Sequence, residues 1–399
     1  MPMTFEEFQH RTHFGRDEIL AYARGELIRP AKADLPSLPN FLLLPFHEIA
    51  AISWDESSQK GRIEAVRYNR LDDWFYACHF LGDPVMPGCW GIDAVWQCLK
   101  FFAAWRGFPG CGKTLGLESV SFFGQIRPRD QKITYSVDIA SIERSSGAVL
   151  ITGKAAVHVD GVPVYAIGSA QIGTDYWEDD APLKKDAPPP LGRPMVRKLS
   201  YDEFAASSSL SHEEVIAISQ GTLIADSPAE MGLLPSSLML GIDEVHHISY
   251  DENLDEGRIS ASQNNVGLEW FYPMNGGEKP TALTIDSVWQ LLGLFLAWRK
   301  ELGTGRALGF ERVEIFDAIR PQDRRILYEV QVRKVFRAAG SEDLFVRADA
   351  SVFADGRLIL KCENASVGCH KNIRYSDYPQ TGEMAFGGKL RTRNKGAGV

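Results

Sequence analysis

The chain is written twice. Trp74-Phe75-Tyr76-Ala77-Cys78-His79 returns 196 residues later as Trp270-Phe271-Tyr272-Pro273-Met274-Asn275. Ile92-Asp93-Ala94-Val95-Trp96-Gln97 returns 193 residues later as Ile285-Asp286-Ser287-Val288-Trp289-Gln290. Ten of the fifteen residues from Ile92 to Arg106 are identical in the second copy, which points to duplication rather than chance. Gly25-Glu26-Leu27-Ile28 matches Gly221-Thr222-Leu223-Ile224, Ile126-Arg127-Pro128 matches Ile319-Arg320-Pro321, and Asp160-Gly161 matches Asp355-Gly356, so the repeat spans nearly everything. A period near 195 residues is too long for a solenoid unit, and each copy is expected to be a domain. The change of offset means that the second copy lost three residues, and with them a histidine, just before its most apolar segment.

The expected domains are residues 1–175 and 200–375. Between them, 176–199 is acidic and proline-rich and reads as a semi-rigid linker. From Asp175 to Lys198 it reaches up to ~80 Å at ~3.3 Å per residue, enough for the halves to dock side by side. The tail, 376–399, is Gly-, Lys- and Arg-rich without periodicity and is expected to be disordered. Within each copy a short helix (Arg16 to Ala23) precedes a long apolar one, Gly88 to Trp105 or Thr281 to Trp298, and alternating strands follow. A helix apolar nearly all round must be wrapped. The expected class is α+β: in each copy a curved antiparallel sheet clasps one buried helix.

A net charge of −9 argues against a nucleic-acid surface. The start has no basic-then-apolar leader and no apolar run approaches ~18 residues, so neither a membrane span nor export is expected, and the reading is cytoplasmic. Six cysteines show no CxxC pairing and do not match between copies, which suits a reduced protein without disulfides or a zinc site.

Chemistry concentrates around His79 and two aspartates. Asp93 and Asp286 are expected in the first turns of the apolar helices, where a carboxylate suits the helix dipole, yet Ile, Val and Trp flank both and burial there is expensive. His79 leads into a loop stiffened by Pro84 and Pro87, and Gly88 opens a helix whose free amides face outward along the axis. A neutral histidine is a suitable general base near pH 7. Asn275 is not. Cys78 and Cys89 read as packing residues. His246-His247 is a weak metal motif without a carboxylate cluster, and no metal is expected. Arg127, Arg129, Lys132, Arg320, Arg324 and Arg325 read mainly as solvated strand ends, with a docking role for an acidic carrier as the alternative.

The run from His79 to Gln97 (His-Phe-Leu-Gly-Asp-Pro-Val-Met-Pro-Gly-Cys-Trp-Gly-Ile-Asp-Ala-Val-Trp-Gln) resembles the signature of bacterial 3-hydroxydecanoyl-acyl carrier protein dehydratase/isomerases. Ala23-Arg24-Gly25-Glu26-Leu27, Leu38-Pro39, Leu115-Gly116 and Asp160-Gly161 extend the likeness over most of both halves. The resemblance implies a hot-dog fold in each copy, a tandem (double) hot-dog overall, and dimer-like pairing in which each site takes its histidine from one unit and its aspartate from the other. It implies dehydration of 3-hydroxyacyl thioesters to trans-2-enoyl thioesters. His79 then matches the catalytic histidine, Asp93 and Asp286 both match the catalytic aspartate, and Gly88 matches the glycine whose amide contacts the substrate carbonyl. No cofactor is implied beyond the phosphopantetheine of an acyl carrier protein, synthase carrier domain or coenzyme A that brings the substrate.

The second copy departs from this pattern, with Asn275 for the histidine and Gly276-Gly277-Glu278-Lys279-Pro280 for the loop. Two pairings stay open. If the halves pair internally, His79 meets Asp286 in one complete site, and Asp93 faces Asn275 in a vestigial one. If first copies pair between chains in a homo-oligomer, His79 meets a partner's Asp93. Other readings are an enoyl thioester hydratase, a thioesterase, or a non-catalytic acyl-thioester-binding partner of a synthase. Trans-2/cis-3 isomerisation depends on tunnel shape rather than on the His and Asp.

Overall fold

The computed structural model describes residues 2–371 apart from positions 33, 146, 176–195, 229, 338–339 and 341, together with 385–386 and 389–390. Most of the expected linker and most of the expected disordered tail lie outside the described residues; within the tail, Ala385–Phe386 pairs with Lys389–Leu390.

Each half repeats one plan. The first runs α1 (Phe5–His10), α2 (Arg16–Ala23), β1 (Glu48–Asp55), β2 (Lys60–Tyr68), α3 (Gly88–Trp105), β3 (Lys113–Phe122), β4 (Lys132–Ser145), β5 (Ala148–Val159) and β6 (Val162–Gly173). The second runs α4 (Tyr201–Ala206), α5 (His212–Ser219), β7 (Glu244–Asp251), β8 (Glu256–Asn264), α6 (Thr281–Trp298), β9 (Thr304–Ile315), β10 (Arg325–Arg337), β11 (Leu344–Ala354) and β12 (Arg357–His370). Capping boxes start the short helices: Thr4 with Glu7, Ser200 with Glu203 and Ser211 with Glu214 each exchange side-chain and backbone bonds.

The strands form one antiparallel sheet in the order β1-β2-β4-β5-β6-β3-β9-β12-β11-β10-β8-β7, twelve strands among the described residues. The order is a palindrome of the repeat, and the halves join at β3–β9. Leu117 pairs with Val313 and Val120 with Phe310. Leu117 and Phe310 are repeat equivalents, as are Val120 and Val313, so the seam has the self-complementary form of a two-fold dimer interface. Gly309, at φ +124°, lets the strands meet there, since a Cβ would lie 1.9 Å from Val120 O.

Helices α3 and α6 fill the inside of the sheet and touch each other. Trp90, Trp96, Phe101 and Phe102 of α3 and Leu291, Leu292 and Phe295 of α6 are at most 1% exposed. Each such side chain contributes roughly 1.5–3 kcal/mol by leaving water. By length and composition α6 passes for a membrane span, but 83% of it is buried inside the protein, as a wrapped core helix requires. This is a double hot-dog: two sheets, each around its own helix, fused edge to edge.

On the other side of the two-fold, each half holds the loop of the other. Asn40 N–H donates to Met274 O at 2.8 Å, and its equivalent Ser236 N–H donates to Cys78 O at 2.9 Å. The rings of Trp74 and Trp270 meet at 5.2 Å between centroids. His79 and Asn275 each follow the residue so gripped.

Candidate active site

His79 follows a short 3-10 turn (Trp74–Ala77) capped by Cys78, and begins a tight hairpin. Val85 N–H donates to His79 O at 2.9 Å, while Phe80 and Asp83 exchange N–H to O bonds at 3.0 and 3.2 Å. The imidazole Nδ1 lies 2.9 Å from Val85 O. A carbonyl accepts only, so Nδ1 carries the proton and Nε2 of the neutral ring presents its lone pair. Burial lowers the His79 pKa below the usual imidazole value. The Asp286 charge and the bond to Val85 oppose that shift, Arg306 adds to it and Asp83 opposes it.

Asp286 projects from α6 in the other half and is 5% exposed. Its Oδ2 accepts a 2.7 Å hydrogen bond from Gln290 Nε2, one turn on. Gln290 is itself fixed, donating to Met239 O at 2.8 Å and accepting from Gly241 N–H at 2.9 Å. Both aspartates lie in the second turn of their helices, counted from Gly88 and Thr281, and neither first turn holds an acid. The expectation of first-turn carboxylates is therefore corrected: a residue this far along gains little from the helix dipole, which acts within the end turn.

His79 and Asp286 line one cavity of about 440 Å³. From the first half come the 80–86 hairpin, Gly88, Phe122 and Tyr165; from the second come Trp289, Gln290, the 230–235 segment and residues 303–307. Gly88 opens α3 and lines the cavity, and Pro87 at its N-cap makes no side-chain capping bond. A Cβ on Gly88 would sit 2.9 Å from the Phe122 ring. The site therefore combines an imidazole nitrogen with a free lone pair, a held carboxylate, a helix N-terminus and apolar walls.

The equivalent place across the two-fold is built differently. Asn275 Nδ2 donates to Glu278 O at 3.1 Å, the repeat equivalent of the His79–Val85 bond, so asparagine keeps the structural contact and lacks the basic nitrogen. Thr281 stands where Gly88 does, and its hydroxyl lies 3.0 Å from that of Thr114, whose own equivalent, Ala307, lines the cavity. Gln97 Nε2 is 3.4 Å from both Asp93 oxygens, and among the described residues Gln97 Oε1 has no hydrogen-bond partner. Burial raises the Asp93 pKa to about 6, with Lys100 and Gln97 only partly offsetting it. Asp93 and Asn275 do not line the cavity.

Cys78 and Cys89 are buried, and burial with the nearby Asp286 charge raises both thiols, Cys78 to about 11. Such thiols are neutral and pack. His246 and His247 bond Ser262 and Ser249 separately, and among the described residues there is no metal-ligating cluster. Two of the six basic residues are not solvated: Arg127 and Arg320 are 2% and 8% exposed. Each closes a turn, donating its backbone N–H to Asp130 and to Asp323 respectively, and Arg320 also pairs with Asp317. Their position in a turn under the strand ends overrides the usual preference of arginine for water.

Gln290, Asp83 and Arg306 are site residues that the sequence reading passed over. The first had a signal, an Asp and a Gln four apart in both copies, which shares one helix face. Asp83 lies inside the run from His79 to Gln97, though nothing local marks its partner, and Arg306 had no signal.

A family model described as FabA-like domain matches residues 35–168 and 234–363. Among solved structures, the chain is similar to the dehydratase domain from the CurJ module of curacin polyketide synthase, with 13% identity over 82% of this chain and 97% of that one and a TM-score of 0.43. It is similar to the dehydratase domain of a mycocerosic acid synthase-like polyketide synthase, at 15% identity, 80% and 93% coverage and a TM-score of 0.43. It is also similar to a monomeric dehydratase domain from a trans AT polyketide synthase split module, at 16% identity, 77% and 99% coverage and a TM-score of 0.42.

Proposed function

Since this chain belongs to the FabA-like domain family, we propose that it dehydrates 3-hydroxyacyl thioesters to trans-2-enoyl thioesters at a single centre shared by its two halves. What carries the reading is the meeting of His79, with Nε2 unprotonated, and Asp286, held by Gln290, on one cavity from opposite halves.

The proposed chemistry is an elimination. His79 Nε2 takes a proton from C2 of the acyl chain, and the released electron pair forms the C2–C3 double bond. The C3–O bond breaks as the departing hydroxyl, held by Asp286, takes up the proton released from C2 and leaves as water. The product gains one double bond and loses one water. The thioester carbonyl gathers charge as C2 loses its proton, and the amide at Gly88 is the donor placed to receive it, a contribution of about 10²-fold where such donors have been removed elsewhere. General acid and base groups of this kind contribute about 10²–10⁴-fold each.

The cavity supports this substrate class: beside polar groups such as Asp83, Gln125, Glu230 and Arg306 it has a wall of Phe80, Met86, Phe122, Trp289 and Leu296, suited to an acyl chain with part of its pantetheine arm. A carrier protein, a synthase carrier domain or coenzyme A delivers it, in fatty acid or polyketide-type synthesis in the cytoplasm, and the centre needs no metal or further cofactor. The test is to incubate the protein with 3-hydroxyacyl thioesters of several lengths on both carriers and to determine product mass and double-bond position. A trans-2 product is expected, and a cis-3 product would add isomerisation. No turnover by the wild type, or turnover that survives His79→Ala, would defeat the reading.

A further inference from the structure

Arg306 belongs to β9 of the second half, yet its side chain is buried against the hairpin that carries His79. Nη1 and Nη2 donate to the two Asp83 carboxylate oxygens at 2.7 and 2.8 Å, and Nε donates to Gln125 Oε1 at 2.9 Å. The Arg306 side chain is 6% exposed and that of Asp83 22%. A bidentate guanidinium–carboxylate pair this far from water fixes both position and angle. Asp83 is no peripheral anchor. Its backbone bonds to Phe80 close the hairpin, and the next rung is the His79–Val85 pair whose carbonyl holds the imidazole Nδ1. A shift of Asp83 is therefore passed to the ring through two adjacent rungs.

The other half supplies a comparison within the same molecule. Its shortened loop has Gly276 and Gly277 in this region and no counterpart of Asp83. Lys113, the repeat equivalent of Arg306, turns to Asp175 instead. So the inter-half pair with the hairpin stands on the side of the histidine, while on the side of the asparagine Lys113 pairs with Asp175 of its own half.

We propose that Arg306 is a positioning residue for the centre: by gripping Asp83 it sets the hairpin that aims His79 toward Asp286. The second half thus contributes a clamp on the histidine as well as the carboxylate facing it. This rests on the reading of His79 as the base.

The test uses the full chain with Asp83→Asn, Arg306→Gln and Arg306→Lys, reading kcat and KM on a 3-hydroxyacyl thioester together with the His79 imidazole titration by NMR in the substrate-free protein. The charges facing His79 are Asp286 from α6, Arg306 from β9 and Asp83 from its own hairpin. Asp83→Asn leaves the Arg306 cation and lowers the titration midpoint, whereas Arg306→Gln leaves the Asp83 anion and raises it. Both lower kcat by roughly 10–10²-fold, the usual cost of misplacing a reacting group by about 1 Å. A purely structural contact would move both variants alike. Arg306→Lys, which keeps the charge and the fold but not the fork, should lose kcat with little change in the titration. Wild-type kcat in Arg306→Lys, or midpoint shifts of the same sign in the other two, would overturn the clamp. A wild type inactive on every thioester, with opposite shifts intact, would sink the dehydratase reading and leave the clamp standing.

Discussion

Gln290 reaches Asp286 at 2.7 Å, while its repeat equivalent Gln97 stays 3.4 Å from Asp93. The difference lies in what holds each amide. Gln290 is tied at both ends to the 239–241 backbone, so its donor points at one carboxylate oxygen; Gln97 Oε1 has no hydrogen-bond partner among the described residues. The same helix motif therefore yields an organised carboxylate on one side of the two-fold and a loosely held one on the other. The aspartates are alike in sequence and unlike in surroundings.

Asp286→Asn is accordingly expected to lower kcat by about 10²-fold or more, since it removes the carboxylate while keeping the shape. Asp93→Asn is expected to stay within a few-fold of wild type. Steady-state kinetics on the two purified variants decide it. The reverse ranking would mean that His79 works with an Asp93 from another chain.

The acid limb of kcat/KM should lie below the ordinary imidazole value of about 6.5. Burial depresses the His79 pKa, so the ring stays neutral and competent as the pH falls through the range where an exposed histidine protonates. A limb above 6.5 would mean that Asp286 dominates over burial in the working enzyme.

Asp93 makes a separate statement about stability. Burial raises its folded pKa to about 6, above the ordinary aspartate value of 3.8. The folded state thus binds the proton more tightly than the unfolded chain does. Its contribution is fully present below about pH 4 and is lost as the pH rises through 6. Asp93→Asn, which cannot ionise, should be more stable than wild type at pH 8, on the order of 3 kcal/mol, and gain little at pH 4. Urea midpoints at the two pH values check this; an equal effect at both would assign the change to packing.

How far the sequence could be read follows from these same residues. The helices α2, α3 and α6 were legible because their apolar pattern is local and written twice. His79, Gly88 and Asp286 were legible because a long ungapped run surrounds the first two and the repeat points to the third. What was not legible depends on distance in the chain. Asp83 and Arg306 are 223 residues apart and meet only because β3 and β9 join in one register. The burial of Arg127 and Arg320 depends on turns closed by Asp130 and Asp323, a tertiary arrangement that a strand-end reading does not contain.

The side that carries Asn275 should resist simple repair. In a His79→Ala background, Asn275→His restores a histidine opposite Asp93, so a centre that needed only the two side chains would regain activity. Three further features stand in the way. The shortened loop places Glu278 O against the side chain at 275, which holds one nitrogen but lacks the Asp83–Arg306 grip on the hairpin. Thr281 occupies the position of Gly88 and bonds Thr114 across the seam, so its hydroxyl and methyl lie where the helix amide would face a carbonyl. Asp93 is itself poorly held. The double variant is therefore expected to show less than about 1% of wild-type kcat, a loss of the size that follows removal of a general base. Recovery above that level would mean that the histidine alone separates the two sides. Adding Thr281→Gly and the 80–84 loop should raise activity only if the hairpin and the open helix end are what the second half lost.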